Sequence, residues 1–238
     1  MLTRATFKQN EMLARLLAKE AKTLRPYLSV VSLTTKDKID EVGTPMRYVD
    51  FPIDAAISVL DFQPRGRTVE VAVIGPEGCT GSYSLSGLRC SPCRTIVQIG
   101  GTVFRVRISR LRPLLPRLPT LTKIVRRFTA VLFRHAVISV GCSQFHSVEQ
   151  RLARWLLAHQ HRTGLKQFPF THDFLSKQLG VQRVTVTQTL SGFQDKGWVD
   201  YRYGNVELGD IPAMRKAACG CFMLAKKAIE SYLTETDH

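Results

Sequence analysis

Directly after Gly180 the chain reads VQRVTVTQTL, a run in which Gln182, Arg183, Val184, Thr185, Thr187 and Gln188 offer donors, acceptors and one methyl pair. A guanidinium such as that of Arg183 can give two parallel hydrogen bonds to O6 and N7 of guanine. A carboxamide can pair with N6 and N7 of adenine, and a valine can touch a thymine methyl. Threonine hydroxyls can donate to phosphate oxygens. These residue types on one outward helical face describe a surface for reading double-stranded DNA.

Such a face must be held by a rigid neighbour. Thr171 is placed to cap a helix that runs to Leu179, with Asp173 in its first turn, where the helix dipole favours negative charge. Gly180 supplies the positive φ that ends it, and a second helix begins near Gln182. Leu175, Leu179, Val181, Val186, Leu190 and Phe193 are spaced to form a shared core, and Ser176 is small enough for close approach. Together they predict a helix-turn-helix. Two short strands joined at Tyr203-Gly204-Asn205 follow, in the position of a wing. Asp210 is placed to cap a last helix through IPAMRKAACGCFMLAKKAIESYL, in which Cys219 and Cys221 serve as packing residues.

Upstream, HSVEQRLARWLLAHQHRTG predicts an amphipathic helix ending near Gly164. Before it, TLTKIVRRFTAVLFRHAVISVGCSQF predicts a long helix capped by Thr120. Leu121, Ile124 or Val125, Phe128, Val131 or Leu132, His135, Ile138, Cys142 and Phe145 form a seam at three- and four-residue steps. Phe133, Val137 and Val140 widen it. The helix is either packed on its own domain and a partner subunit together, or buried once in a monomer. SRLRPLLPRLP, with three prolines, cannot be one continuous helix.

The first third has a different texture. Met12, Leu13, Leu16 and Leu17 predict a surface helix within MLTRATFKQNEMLARLLAKEAKTLRPYL, stopped by Pro26. Then SVVSLT, RYVDFPI, AISVLDF, TVEVAVIG, TIVQIG and TVFRVRI alternate with EVGTP, QPRGR, GPEG and IGG, as in a β-sandwich or roll. TVEVAVIG alternates too weakly for a strand with one wet face.

The 238 residues carry a formal charge of +15. Residues 78–148 hold 11 basic and no acidic side chains, while 1–77 hold 11 and 10 and 147–238 hold 12 and 9. The excess is thus mostly upstream of the helix-turn-helix, as a DNA flank, an anion site or a solvated arginine-rich surface. No segment supplies the roughly eighteen uncharged apolar residues of a membrane span, and the N-terminus lacks signal-peptide character, so a cytoplasmic chain is expected. The six cysteines are then reduced thiols. Cys90 and Cys93 form a lone C-x-x-C, either ordinary loop cysteines or a redox pair whose thiol pKa neighbouring Arg89 and Arg94 would lower. No four-ligand metal set is evident. An enzyme is not expected: 78–148 holds no carboxylate to orient His135 or His146, and no nucleophile elbow, phosphate loop or H-E-x-x-H occurs.

The order of parts resembles the Crp/Fnr family of bacterial transcription regulators (cyclic-AMP receptor protein and fumarate-nitrate regulator). It rests on GPEGCTG, RTIVQ, the long helix, HSVEQRLARWLL and FLSKQLGVQRVTVTQTLSGFQDKGWV in that order. The resemblance implies an α+β fold. An N-terminal helix and cyclic-nucleotide-binding-like antiparallel β-roll, or jelly roll, would span 1–119, a dimerisation helix 120–146 and a winged helix-turn-helix 147–238. It also implies a homodimer on a two-fold operator, contact with RNA polymerase, and an effector or redox signal acting through the roll. Arg94 and Thr95 match the family's phosphate-holding pair and Gly81 is in place, but Ser82 stands where a carboxylate takes the ribose hydroxyl. That argues against tight cyclic AMP binding and leaves either another anion on Arg94 or a filled roll. With no cysteine before Cys79, the family's iron-sulfur cluster cannot be built, and no cofactor is expected. On the second helix of the pair, Arg183 matches a family arginine, while Val184 and Gln188 depart from a glutamate and an arginine. The competing function is a small-ligand or partner-binding roll with a vestigial helix-turn-helix.

Overall fold

A computed structural model describes residues 7–63 and 67–234. The first six residues of the expected N-terminal helix and most of the QPRGR turn lie outside the described residues. The chain forms two compact units, one from residues up to 60, 72–134 and from 227 onward, the other from 61–71 and 135–226.

The first unit is a β-roll. Its strands are β1 (Ser29–Leu33), β2 (Lys38–Asp40), β3 (Tyr48–Pro52), β4 (Ala56–Gln63), β5 (Arg67–Ile74), β6 (Arg94–Ile99) and β7 (Gly101–Arg107). They form two sheets, β1-β7-β3 and β2-β6-β4-β5. β7 runs antiparallel to β1 and β3, and β6 to β2 and β4. The core takes Val49, Phe51, Phe104 and Val106 from one sheet and Ile57, Val97 and Ile99 from the other. Asp50, fully buried, is tied to Arg105 by two hydrogen bonds of 2.6 and 2.8 Å. β5 is buried on both faces over its last three residues, as its weak alternation requires.

The expected N-terminal helix is interrupted. Leu16 and Leu17 are extended (ψ 139° and 149°), so a 3-10 turn at Leu13–Arg15 precedes α1 (Ala18–Leu24). Leu17 is consequently exposed. Two single-turn helices follow within the roll, α2 (Ser82–Leu85) and α3 (Ile108–Leu111), and the proline run continues as a 3-10 segment to Arg117. α4 (Pro119–Phe145) then begins one residue before Thr120. Its first amides are capped by Glu20 of α1: Thr120 N–H donates to Oε1 at 2.9 Å and Leu121 N–H to Oε2 at 3.3 Å. A carboxylate at a helix N-terminus satisfies orphan donors and the dipole together.

The second unit holds α5 (Val148–Thr163), α6 (His172–Leu179), α7 (Arg183–Asp195), α8 (Ile211–Ala217) and most of α9 (Cys221–Thr234). A three-stranded sheet completes it, with β8 (Gln167–Phe168), β9 (Val199–Arg202) and β10 (Asn205–Leu208) in the order β8-β10-β9. Ser147 and Gln150 form a capping box on α5, and Gly164 ends it at φ 70°. Asp210 caps α8, accepting from Ala213 N–H. The last segment is two helices, however: Ala218 is extended (ψ 146°), leaving Cys219 in the break and Cys221 at the start of α9. The architecture is the expected α+β fold of β-roll, long helix and winged helix-turn-helix.

Candidate nucleic-acid interface

The helix-turn-helix is built as its spacing predicts. Thr171 Oγ1 accepts from Phe174 N–H at 3.2 Å, Gly180 takes φ 64°, and Val181 N–H donates to Ser176 O at 3.0 Å. Leu175, Leu179, Val186, Leu190 and Phe193 are buried. Burying each large apolar side chain is worth about 1.5–3 kcal/mol. Turning α7 over to hide its polar face would forfeit three of them, so packing alone fixes which face is presented. That face carries Gln182, Arg183, Val184, Thr187 and Gln188, all exposed, and continues through Ser191 and Gln194. Thr185 is half-buried at its margin.

Two contacts brace the face. Thr187 Oγ1 lies 3.1 Å from Arg183 O, to which it can donate, and 3.0 Å from His172 Nδ1. The His172 ring stacks on Tyr201 of β9 at 4.3 Å. Burial, with the nearby Arg183 charge adding to it, holds the His172 pKa below its ordinary value. The β9–β10 turn is Tyr203-Gly204, both at positive φ (49° and 79°), as a two-residue hairpin needs. Tyr203 stands fully exposed at the tip. β8, a third strand of only two residues, was too short to be legible in the sequence.

The outer part of the β4–β5 hairpin also belongs to this unit. Val69 lies 3.5 Å from where a Cβ on Gly180 would sit, and Thr68 Oγ1 donates to Lys177 O at 3.4 Å. Ser139 of α4 donates to Val71 O at 3.0 Å. Arg151 donates to Leu179 O, the last residue of α6. The hairpin therefore touches the turn that aims α7. Nothing in its own periodicity signals this.

In the roll, Gly81 takes φ 64°, and a Cβ there would meet Tyr48 O at 2.6 Å. The backbone demands this glycine whether or not a ligand binds. Ser82 is buried. Arg94 is held by Glu41, with Nε donating to Oε1 at 2.9 Å and an ion pair of 2.7 Å to Oε2. Thr95 Oγ1 accepts from Asp40 N–H at 3.0 Å and donates to Asp40 Oδ2 at 3.2 Å. Both members of the family's phosphate-holding pair thus face carboxylates of this chain. Burial pushes the Asp40 carboxyl up to about 6, against the Thr95 hydrogen bond. Beside them is a cleft of about 410 Å³, lined in part by Lys38, Asp40, Glu41, Arg47, Tyr48 and Arg105.

Cys90 is exposed and Cys93 partly buried, and neither is in a disulfide. The expected lowering of a thiol pKa by Arg89 and Arg94 fails at Cys93, whose thiol is pushed up by burial and by the Asp40 carboxylate. Arg94 is already committed to Glu41.

The sequence reading missed a different thiol group. Cys142 on α4, His146 just past its end, Cys219 and Cys221 converge, with three Sγ atoms and one imidazole nitrogen all within 4.8 Å of one another. Cys142 Sγ is 3.5 Å from Cys219 Sγ, and Cys221 Sγ is 3.7 Å from His146 Nδ1. The signal was a C-x-x-x-H at one helix end and a C-x-C at a later helix break. Assigning Cys219 and Cys221 to a continuous helix concealed it.

Residues 150–217 match the family described as the Crp-like helix-turn-helix domain. Comparison with curated protein sequences gives no match. Among solved structures the chain is similar to FixK2 from Bradyrhizobium japonicum (18% identity, 81% of this chain and 98% of that one, TM-score 0.67). A Crp-family transcriptional regulator from Thermus thermophilus shows 18% identity over 79% and 96%, with TM-score 0.65. The c-di-GMP-responsive global regulator CLP of Xanthomonas campestris shows 15% over 81% and 99%, with TM-score 0.66. No described helix is long and apolar enough to cross a membrane. Residues 150–217 thus form a Crp-like helix-turn-helix domain, and through most of its length the chain shares the fold of these solved regulators, in line with the resemblance carried by its sequence motifs.

Proposed function

We propose that the protein is a transcription regulator, not an enzyme, that binds double-stranded DNA as a homodimer through the exposed face of α7. The observation that carries this is the polar run Gln182, Arg183, Thr187 and Gln188 turned outward by a fully apolar inner face, beside a tight wing. Arg183 and the glutamines would read base edges in the major groove, Val184 a thymine methyl, and Thr185 and Thr187 the backbone.

The dimer reading rests on α4. Arg126, Ala130, Phe133, Val137, Val140 and Gln144 are all exposed and follow one another by four, three, four, three and four residues. That is the alternation of a coiled-coil seam, with apolar residues at its middle. Phe133 is 72% and Val140 64% exposed, a poor arrangement for a helix meant to face water. Two copies paired here would place two α7 helices on a two-fold operator, as a candidate platform for RNA polymerase.

An effector at the roll is compatible with the hairpin contact at Gly180, since movement of residues 67–71 would bear on the turn before α7. Glu41 on Arg94 and Ser82 in the carboxylate position speak against cyclic AMP. Any anionic effector must displace Glu41 or use the adjoining cleft.

Selection of duplexes from a random pool by the full-length chain tests the reading. It should enrich two-fold sites whose half-sites are about one helical turn apart. A pool that stays random, with no site-specific complex, leaves the vestigial helix-turn-helix reading standing instead.

A further inference from the structure

The Cys142 group lies outside the DNA-reading face and outside the roll. Three of its members are nearly excluded from solvent (1%, 4% and 7% exposed for Cys142, Cys219 and Cys221), with Ile138 and Ala225 packed against them. His146 N–H still donates to Cys142 O at 3.2 Å, so the last turn of α4 presents both side chains on one face. The break at Ala218 turns Cys219 and Cys221 back toward them. A tetrahedral ion with metal–sulfur bonds of about 2.3 Å and metal–nitrogen bonds of about 2.0–2.1 Å needs ligand atoms separated by about 3.6–3.8 Å. Two of the six separations, 3.5 and 3.7 Å, lie close to that requirement, and the others fall within 4.8 Å, so a small rotation of the side chains closes the tetrahedron.

We infer that Cys142, His146, Cys219 and Cys221 bind a single zinc-class divalent ion, in a tetrahedron of three sulfurs and one nitrogen that ties the end of α4 to the α8–α9 break. Ligand atoms all within 4.8 Å converge on one ion and leave no room for a cluster of several irons among them. Three thiolates and a neutral imidazole around a divalent ion carry a net charge of −1, each thiol having lost its proton to solvent on binding. Arg151 and Arg154 are placed to balance it, since both interact electrostatically with these thiols. Arg154 Nε is buried and has no hydrogen-bond partner among the described residues, which leaves it available to an anionic centre. Arg151, through Leu179 O, connects the same place to the turn preceding α7.

The test uses untagged full-length protein, reduced and stripped of metal, titrated with Zn²⁺ and, separately, Co²⁺. One equivalent should bind per chain with release of thiol protons, and cobalt should show tetrahedral visible bands with thiolate charge transfer. Cys142→Ser should lose the tight equivalent, while the Cys90→Ser/Cys93→Ser double variant keeps it. Any of three results overturns the site: no binding by reduced wild-type protein, an octahedral cobalt spectrum without charge transfer, or loss of metal in the Cys90/Cys93 variant. Should Cys142→Ser fail to fold, the wild-type cobalt spectrum and proton release still decide.

Discussion

Arg183 is the side chain on which the proposed base reading turns. It stands exposed on the first turn of α7, within reach of Thr187 through its own carbonyl. Replacing it with alanine should cost about 1–3 kcal/mol of operator affinity and relax one base position, because a bidentate guanine contact is lost. A fluorescence titration across single-base operator variants measures both, and unchanged affinity with unchanged preference would reject the assignment. His159 makes a different kind of prediction. Its Nδ1 donates to Trp155 O at 3.0 Å, its Nε2 stands 4.0 Å from the Glu70 carboxylate, and burial pushes its pKa down to about 3. The unfolded ring, near 6.5, therefore takes a proton first. His159 contributes its full stability above pH 6.5 and loses it as pH falls toward 3, by about 2 kcal/mol at pH 5. Because Asp40, raised to about 6, gains stability over the same range, the effect is read as a difference: in urea unfolding at about pH 7.5 and pH 5, wild type should lose about 2 kcal/mol relative to His159→Gln.

At the scale of elements, the N-terminus of the long helix is capped by a side chain from far upstream. Glu20 is buried at the N-terminus of α4 and receives two of its amides. Glu20→Ala would leave those donors without a carboxylate and lower stability by about 1–2 kcal/mol. Glu20→Gln, which keeps an acceptor, should recover part of the loss. Thermal unfolding of the two variants separates them, and equal melting temperatures for wild type and Glu20→Ala would remove the cap from the account. The spacing around Thr120 suggested a local cap because hydroxyl residues commonly serve as one. The carboxylate that serves comes from about a hundred residues earlier, which spacing cannot reveal.

For the molecule as a whole, the exposed stripe on α4 is the feature that a single chain leaves unanswered. Val137→Glu puts a charge at the middle of the proposed seam, twice per dimer by symmetry. Losing two buried valines and setting like charges opposite each other should weaken the dimer at least on the order of 100-fold. Sedimentation equilibrium reads this directly. A variant that remains as dimeric as wild type takes the stripe out of the interface, and DNA affinity measured on the same sample tells whether the second α7 matters.

What local sequence determined is considerable. Thr171, Gly180 and the apolar set from Leu175 to Phe193 specify a helix, a left-handed turn and a second helix, and each rule involves neighbours a few positions apart. The same holds for Ser147 with Gln150, for Gly164, and for the positive-φ wing turn. What tertiary structure decided involves partners far apart in the chain. Glu41 on Arg94, Asp40 on Thr95, Glu20 on α4, Val69 against the Gly180 turn, and Cys142 with Cys219 are all of this kind. Their encounter depends on how strands and helix ends are brought together in space, and residue periodicity encodes which face a side chain occupies but not what that face meets.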